Sequence, residues 1–408
     1  MGVISGAAAT TFNRPQFTNE VISVTPAETA FLTMAGGPRG GQAVFAKDFS
    51  WSTVDNTAAA IPAILEGGDP TYNERTRTEV FNTVQIFQEG IEETYTALAV
   101  ALQQGPFAST RTWAVSDPVG QGGSADWQLQ VQLKLELMAR NMNLTFLTGT
   151  YSRPANNSTA RVTQGILGAI TTNVEAEADA AVGTTWDFDF TGGAQEDLWT
   201  TAAAHGLVVG DEIEFTTAEA APAEYAAATS YWVVAVPLTT TVQLSATKGG
   251  AVLAGTGDAT TGLWVAEKKN ALSKTGIDNV MRAMADNGAR RGMLTAFTGS
   301  HNRQKFSSVY GYAPESRTEG GVAIDRVLTD FGWLDVVYDR QMPSDEILIA
   351  EMSDVGIRFL EIPGKGHLFI EPVAASGASV RAQFYGEAGL HYGWEGNHAK
   401  ITGLTTVP

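Results

Sequence analysis

The residues that decide the fold are Asp126–Leu147, DWQLQVQLKLELMARNMNLTFL. Every second residue from Trp127 to Leu137 is apolar, as in a strand, but Trp127, Met138 and Phe146 also lie on one helical stripe. Composition decides between the two periods, because Leu, Gln, Lys, Glu, Met and Ala favour helices and 22 residues exceed an ordinary strand. We predict a spine helix over residues 126–147, about 33 Å long at about 1.5 Å per residue.

A long hairpin precedes this helix. Gln42–Trp51 and Arg75–Ile86 are predicted as its strands, since each carries apolar residues at alternate positions. The intervening residues are rich in Ala, Gly and Asp, and excursions of this length are usually functional. A two-stranded hairpin is only marginally stable alone, so we expect a neighbouring subunit to cover its aromatic side chains. These are Phe45, Phe49 and Trp51.

Charge and composition restrict the class of protein. The chain has 408 residues, no cysteine and a net charge of −18. This charge argues against a protein that grips phosphate backbones or docks on an anionic membrane, because both need clustered Lys and Arg. Disulfides and thiol catalysis are excluded. No apolar run approaches the ~20 residues of a membrane span, so we expect a protein of the cytoplasm or of something built there.

An acidic segment interrupts the second half of the chain. Between Arg161 and Lys248 there is no Lys or Arg, while residues 162–247 hold 12 Asp or Glu. Short β-branched or aromatic runs and Gly-containing turns alternate within it. We therefore predict a small all-β module over residues 172–266. Its strands are predicted at Leu207–Phe215, Tyr231–Val236 and Thr241–Leu244.

Five motifs accompany these elements. They are Thr25–Gly36 (TPAETAFLTMAG), Glu66–Asp69 (EGGD), Asn82–Ala97 (NTVQIFQEGIEETYTA), Thr329–Pro343 (TDFGWLDVVYDRQMP) and Tyr385–Leu404 (YGEAGLHYGWEGNHAKITGL). In this order, together with the spine helix, they resemble the major capsid proteins of tailed bacteriophages with the HK97 fold, and most closely the phage SU10 major capsid protein family. The resemblance covers the chain except for the acidic insert, and it depends on the number and order of the motifs.

The resemblance implies an α+β fold, the HK97 capsid fold with a small all-β insertion domain, and a division of the chain into six parts. These are an N-terminal arm (1–38), an extended loop hairpin (39–88), a peripheral domain with the spine helix and the start of the axial domain (89–171), an inserted all-β domain (172–266), an axial domain (267–378), and a C-terminal strand that returns to the peripheral domain (379–408).

The function implied by the resemblance is self-assembly into the icosahedral head shell that encloses double-stranded DNA. Its partners would be copies of itself in hexamers and pentamers, a portal, a scaffolding protein and a decoration protein. The packaged DNA would be contacted weakly, and no membrane is involved. The protein would reside in the virion, after assembly in the host cytoplasm. The side chains expected at contacts between subunits are Phe45, Phe49, Trp51, Glu66, Asp69, Arg75 and Arg77.

No pattern in the sequence indicates an enzyme. His391, Glu395 and His398 lack the spacing of a zinc helix, and the acidic clusters of the insert lack a calcium-loop pattern. We expect no catalytic residue, cofactor or metal, a solvated acidic face on the insert, and no covalent cross-link through Lys47. Two alternatives remain open. One is another phage structural protein or a nanocompartment shell protein, and the other is a β-rich protein that binds or cleaves carbohydrate.

Overall fold

The chain forms two compact units. The computed structural model describes residues 28–38, 40–54, 66, 69, 76–96, 125–156, 158–189, 198–217, 222–255, 259–290, 292–310, 315–319, 322–374 and 377–407. The first unit comprises Met1–Glu28, Phe87–Arg140 and Leu368–Gly386, and the second comprises Thr29–Ile86, Asn141–His367 and Glu387–Pro408.

The helices differ widely in length. They are α1 (Ala30–Met34), α2 (Ala125–Thr148), α3 (Ile166–Ala169), α4 (Lys274–Asp286), α5 (Ser300–Tyr310) and a 3-10 turn at Glu395–Asn397.

Helix α2 is the predicted spine helix, one residue longer at each end than predicted. Trp127, Met138, Met142 and Phe146 are buried along it at helical spacing. Leu133, which the alternating pattern would bury, is 38% exposed. The composition of the segment therefore predicted its structure correctly, and the strand-like alternation did not.

The first unit contains an antiparallel arrangement around one long strand. Its strands are β4 (Gln85–Thr94, of which Gln85 and Ile86 belong to the second unit), β18 (Leu368–Pro372) and β19 (Ser379–His391, up to Gly386). Strand β19 pairs with both β4 and β18. Arg381 of β19 lies 2.7 Å from the Glu92 carboxylate of β4, and this ion pair lowers the pKa of Glu92.

In the second unit, the predicted strand Gln42–Trp51 is divided into β1 (Gln42–Val44) and β2 (Asp48–Val54). Strand β1 pairs in parallel with β17 (Gly356–Leu360), which also pairs with the end of β19. Strand β2 forms a separate antiparallel ribbon with β3 (Arg77–Thr83). The chain therefore changes partners between Val44 and Asp48, because a single straight strand could not pair in both places.

The second unit also holds a mixed seven-stranded sheet. Its order is β13 (Glu315–Glu319), β14 (Val322–Thr329), β15 (Gly332–Tyr338), β12 (Leu294–Thr298), β16 (Ile347–Glu351), β20 (Ala399–Thr402) and β5 (Val174–Ala176). Helix α4 begins after Ser273, whose hydroxyl oxygen accepts a hydrogen bond from Gly276 N at 2.9 Å. Its apolar stripe, which includes Ile277 and Met281, shares one buried core with Ile349 and Ile401 of the sheet.

The C-terminal segment corrects one sequence prediction. Residues 379–408 are predicted as a C-terminal strand that returns to the peripheral domain, but β20 pairs with β16 and β5 in the seven-stranded sheet. Ala399, Ile401 and Leu404 are buried in the core that α4 covers. The alternating apolar residues after His398 therefore complete this sheet, and only the first part of β19 belongs to the first unit.

Six strands between residues 179 and 269 close into a barrel. They are β6 (Asp179–Asp189), β7 (Leu198–Thr201), β8 (Glu212–Thr217), β9 (Ser230–Leu238), β10 (Thr241–Ser245) and β11 (Ala259–Lys269). Trp186, Trp199, Phe215 and Trp264 fill its core. The barrel runs from 179 to 269, because β5 belongs to the seven-stranded sheet. Strand β8 begins later than predicted, after a turn at Gly210 (φ 98°).

Candidate assembly surface

The β2–β3 ribbon is fixed to the body of its own chain through Asn82, which is fully buried. Its side-chain amide donates to the carbonyl oxygens of Leu390 at 2.7 Å and Gln164 at 3.2 Å. Its Oδ1 accepts from Gln164 N at 2.8 Å, Thr163 Oγ1 at 3.2 Å and Thr83 N at 2.8 Å. Because every polar atom of the side chain is paired in a dry site, this network holds the ribbon in one orientation.

Trp51 forms a second attachment. Its Nε1 donates to the carbonyl oxygen of Gly393 at 2.6 Å. Its ring centroid lies 4.6 Å from that of His391 and 5.0 Å from that of Tyr392, and Phe49 stacks beside it at 6.0 Å. Both aromatic residues of β2 therefore already have partners within the chain.

The structure separates the residues predicted at contacts between subunits. Phe49 and Trp51 pack on their own chain, whereas Phe45 is 87% exposed. Glu66, Asp69 and Arg77 are also exposed. Arg75 lies outside the described residues, as does most of the hairpin tip. The role of these residues between subunits stays a prediction.

Sequence reasoning missed further exposed apolar side chains on the ribbon and at its root. Val54, Phe81 and Ile86 are exposed on β2, β3 and β4. The alternation of side chains along β3 was the signal that could have found Phe81, because this residue lies between the inward-facing Val80 and Asn82. Together with Phe45, these residues give the ribbon and its root an exposed apolar surface.

A groove of about 590 Å³ lies at the root of the ribbon. One wall is the loop 153–161, closed by paired backbone hydrogen bonds between Ser152 and Val162 at 3.1 and 3.0 Å. On the other side are Lys47, Asp48, Thr83, Gln85 and Ile86. Arg153 bridges the two sides, because its guanidinium lies 2.9 Å from the Asp48 carboxylate.

Helix α1 is also fixed to the second unit. Phe31 N donates to Asp339 Oδ2 at 3.0 Å, and Leu32 N donates to Asn143 Oδ1 at 2.7 Å. Asn143 in turn donates to Asp339 at 3.0 Å, and all four residues are buried. The predicted arm (1–38) therefore does not include this helix, whose apolar residues pack on their own chain. An arm role for residues 1–27, outside the described residues, stays a prediction.

The barrel meets the rest of the second unit through a buried lysine. Lys269 Nζ lies 2.5 Å from Glu214, 3.1 Å from Asp345 and 3.1 Å from Ser230 Oγ. Burial by itself would lower the pKa of Lys269, but its bonds and charge interactions with Glu214 and Asp345 outweigh burial and raise that pKa. An ammonium group therefore links strand β8 of the barrel to the loop before β16.

The acidic clusters of the insert are not the solvated face that the sequence predicted. Glu212 is buried and accepts hydrogen bonds from the backbone N and the hydroxyl of Thr406, both at 2.9 Å. Asp211 lies 2.9 Å from Lys268 Nζ. Glu175 accepts from the Asn279 amide at 2.9 Å. These carboxylates are engaged by neighbouring side chains, since the barrel and body bring donors that are distant in sequence next to them.

The histidines considered as metal ligands have structural partners. Burial lowers the pKa of His398, whose Nδ1 accepts from Glu351 N at 3.2 Å while Nε2 lies 2.6 Å from the Tyr392 carbonyl oxygen. That pattern fits the neutral ring, with Nε2 as the donor. Glu395 instead accepts from Thr171 N at 3.0 Å. Across the described ranges, no group of three or more His, Asp or Glu side chains could hold a metal ion. No helix in those ranges is long and apolar enough to span a membrane.

The long helix α2, the β2–β3 ribbon, the strands around β19 and the seven-stranded sheet define an HK97-like α+β capsid fold. The chain matches the SU10 major capsid protein family over residues 4–405 and belongs to that family. It is a shell-forming major capsid protein of a bacteriophage.

One of the similar solved structures reaches a TM-score of 0.50, at low sequence identity. The capsid of cyanophage A-1(L) is similar with a TM-score of 0.50 and 10% identity, covering 98% of this chain and 100% of that one. Two others are similar at lower scores. They are a Mycobacterium phage Adephagia chain (TM-score 0.48, 10% identity, 100% of each chain) and the SrpI encapsulin of Synechococcus elongatus PCC 7942 (TM-score 0.47, 8% identity, 100% and 98%). No protein of curated function matches the sequence.

Proposed function

We propose that this chain builds an icosahedral head shell from hexamers and pentamers of itself around double-stranded DNA, without catalysing a reaction. One observation carries the proposal beyond the family: a ribbon that is rigidly rooted in its own chain exposes Val54 and Phe81, and the bend that leads into it exposes Phe45. A monomer gains nothing from holding apolar side chains in water, so their presence on an ordered element is typical of an interface.

The energetics suit an assembly of many weak contacts. Burying one Phe side chain contributes about 2 kcal/mol before ordering costs. A single ribbon contact is therefore weak. Each subunit of a closed shell makes several such contacts at once, and the effective concentration of its neighbours makes the whole shell stable.

The other proposed partners are suggested by the net charge of the chain and by its class, a capsid protein. With a net charge of −18, the chain would contact packaged DNA weakly, because tight phosphate binding needs clustered cations. A portal, a scaffolding protein and a decoration protein complete the proposed set. Assembly would take place in the host cytoplasm, and the finished protein would reside in the virion.

The barrel is proposed as an inserted domain that projects from the outer surface of the shell. Its two ends meet, since the Asn270 amide donates to the Glu177 carbonyl oxygen at 2.8 Å. Its aromatic core is separate from the core under α4. A domain that has its own core, and whose two ends lie next to each other, can be inserted without disturbing the shell fold.

The proposal is tested by replacing the exposed ribbon residues. Phe45→Ser with Phe81→Ser should leave the circular dichroism and unfolding midpoint of the subunit unchanged while lowering the yield of large particles in sedimentation. Val208→Ser is the matched control, because this exposed apolar residue lies on the barrel. A double variant that assembles as well as wild type would refute the role of the ribbon.

A further inference from the structure

The geometry points to an anion site: we propose that the groove at the root of the ribbon binds a phosphate group. All of its lining residues belong to the second unit, with Lys47 and Asp48 on one side and loop 153–161 on the other. This site goes beyond the proposed shell function and does not depend on it, since the cations that would hold the phosphate all come from one chain. They are Lys47, Arg153 and Arg161.

The groove concentrates positive charge on an acidic protein. The whole chain has 26 Lys and Arg against 44 Asp and Glu, which gives a net charge of −18. The charged residues that line the groove have the opposite balance, since three are cations and only Asp48 is an anion. A concave surface lined mainly by one sign of charge raises the local concentration of ions of the other sign. The groove therefore attracts anions to a chain that repels them elsewhere.

The neck of loop 153–161 brings its two arginines to one place. The backbone groups of Ser152 and Val162 form an antiparallel bridge, with N–O distances of 3.1 and 3.0 Å. Arg153 follows Ser152, Arg161 precedes Val162, and both arginines line the groove. The fold thus holds two like charges beside the same neck. A phosphate between them would offset their repulsion and accept hydrogen bonds from both guanidinium groups.

Each arginine keeps donor capacity beyond its bond within the chain. A guanidinium group carries five N–H donors. Arg153 contacts the Asp48 carboxylate through Nη2 at 2.9 Å, and its side chain stays 60% exposed. Arg161 contacts the Glu387 carboxylate through Nη2, while its Nε has no hydrogen-bond partner. The two carboxylates therefore orient the guanidinium groups and leave further N–H donors for a ligand.

Lys47 supplies the third cation from the other side of the groove. Among the described residues, no carboxylate lies within ion-pair distance of its ammonium group. Neutral donors accompany the cations, since Thr159 is exposed in the groove wall and Asn156 lines the groove beside it. Asn156 Oδ1 accepts from Ser158 N at 3.1 Å, which leaves the Nδ2 group of that side chain to donate. Lys, Arg, Thr and Asn side chains are the usual ligands of phosphate oxygens.

The size of the groove admits more than one source of phosphate. Its volume of about 590 Å³ lies within the range of small-ligand sites, about 300–1,000 Å³. Inorganic phosphate, a nucleotide and a nucleic-acid backbone all present the same oxyanion to the three cations. The proposal names the phosphate group, and competition between phosphate and DNA distinguishes the sources.

Phosphorus NMR of the purified full chain tests the site. Inorganic phosphate is titrated against the protein at low ionic strength, and the broadening of its resonance gives a dissociation constant. We expect Lys47→Gln with Arg153→Gln to raise that constant at least about tenfold, because two charge-assisted contacts are lost. Unchanged circular dichroism of the variant excludes unfolding as the cause.

The matched control is Lys274→Gln with Arg290→Gln. Like Arg153, these residues have exposed side chains, and each contacts one aspartate, Asp278 and Asp354 respectively. The control changes the net charge by the same amount as the groove variant but leaves the groove intact. We expect its dissociation constant to differ from that of wild type by less than about twofold, because exposed charges beyond about 10 Å are largely screened at about 0.1 M salt. The control and the groove variant are therefore compared at that salt concentration.

Asp48→Asn gives a result that a loss of structure does not imitate. The substitution keeps the shape of the side chain and removes the only anion among the lining residues, so it releases Arg153 and removes repulsion of the phosphate. We expect the affinity for phosphate to rise at least about threefold, the value of an exposed ion pair. Affinity that falls or stays equal in Asp48→Asn would overturn the assignment of the groove.

A short DNA duplex added to the phosphate titration separates the sources. Displacement of phosphate by DNA assigns the site to a nucleic-acid backbone, and phosphate that stays bound in excess DNA assigns it to a free phosphate or nucleotide. Both results support a phosphate site. A wild-type chain that does not broaden the resonance, or equal dissociation constants for wild type and the Lys47→Gln, Arg153→Gln variant, would overturn it.

Discussion

The side-chain amide of Asn82 in β3 donates to the carbonyl oxygen of Leu390 in β19 at 2.7 Å, across 308 residues of sequence. This bond belongs to a network that satisfies both polar atoms of Asn82 in a fully buried site. It joins the root of the extended ribbon to the strand that runs toward the C-terminus. The ribbon can therefore extend from the body without a third strand of its own.

Replacing Asn82 tests this attachment. Asn82→Ala removes five hydrogen bonds and leaves buried backbone groups without partners. We expect a loss of about 3 kcal/mol in the free energy of unfolding, measured by denaturant titration. Gln88→Ala is the control, since its amide makes only an exposed bond to Gln383. Equal stability for the two variants would contradict the anchoring role.

Trp51 should stabilise the subunit itself. Trp51→Ala removes the bond to Gly393 and the packing on His391 and Tyr392. We expect a loss of about 3 kcal/mol in unfolding free energy. Trp333→Ala, at a tryptophan that is 53% exposed, should cost less than about 1 kcal/mol. If Trp51→Ala unfolds like wild type but fails to form shells, the residue contacts a neighbour, as the sequence first suggested.

Stability should fall below about pH 6.5, the ordinary histidine pKa. Burial lowers the pKa of His398, and burial with the nearby charge of Arg358 lowers that of His391. Because the unfolded chain takes up protons at a higher pH than the native chain, stability is complete above about 6.5 and is lost as pH falls toward the native pKa values.

Denaturant midpoints between pH 8 and 5.5 measure this dependence. Each histidine contributes at most about 1.4 kcal/mol per pH unit. His398→Asn keeps an acceptor for Glu351 N but no titrating ring, so its curve should be flatter than that of wild type. Parallel curves for the two proteins would show that His398 does not contribute.

The barrel should be removable. Replacing residues 179–269 by a short Gly-Ser linker rejoins the chain where Asn270 already bonds Glu177. We expect particles of normal diameter by electron microscopy, because the core beneath α4 is left whole. An insoluble product, or one that never assembles, would show that the barrel is part of the shell fold. Lys269→Ala keeps the barrel but removes the buried ammonium group that links it to Asp345. This variant therefore distinguishes the loss of that link from the loss of the whole barrel.

The sequence predicted the elements whose signal is local. Helix α2 followed from its composition, which outweighed the strand-like alternation. Strand β6 was missed, because its first residues, DAAVGTT, lack the apolar alternation typical of a strand. Pairing around the barrel, through β6, β7 and β11, supplies the structure that local propensity does not.

The partners of the ribbon could not be predicted in the same way. Trp51 and Gly393 are 342 residues apart, and no local pattern connects them. An alternating aromatic strand indicates that something covers it without indicating whether that surface belongs to the same chain. Phe45 and Trp51 share a strand-like parity in sequence, yet one lies in water and the other packs on β19, because the chain bends between β1 and β2.

Electron microscopy of the chain expressed alone, together with a variant that lacks the tip residues 55–75, tests the central claim most directly. The account predicts closed icosahedral shells for the full chain, and folded subunits that do not close shells for the variant. If the full chain and the variant form shells of equal number and size, the claim that the ribbons hold the shell together is contradicted. Tubes or rings from the full chain would contradict the shell itself.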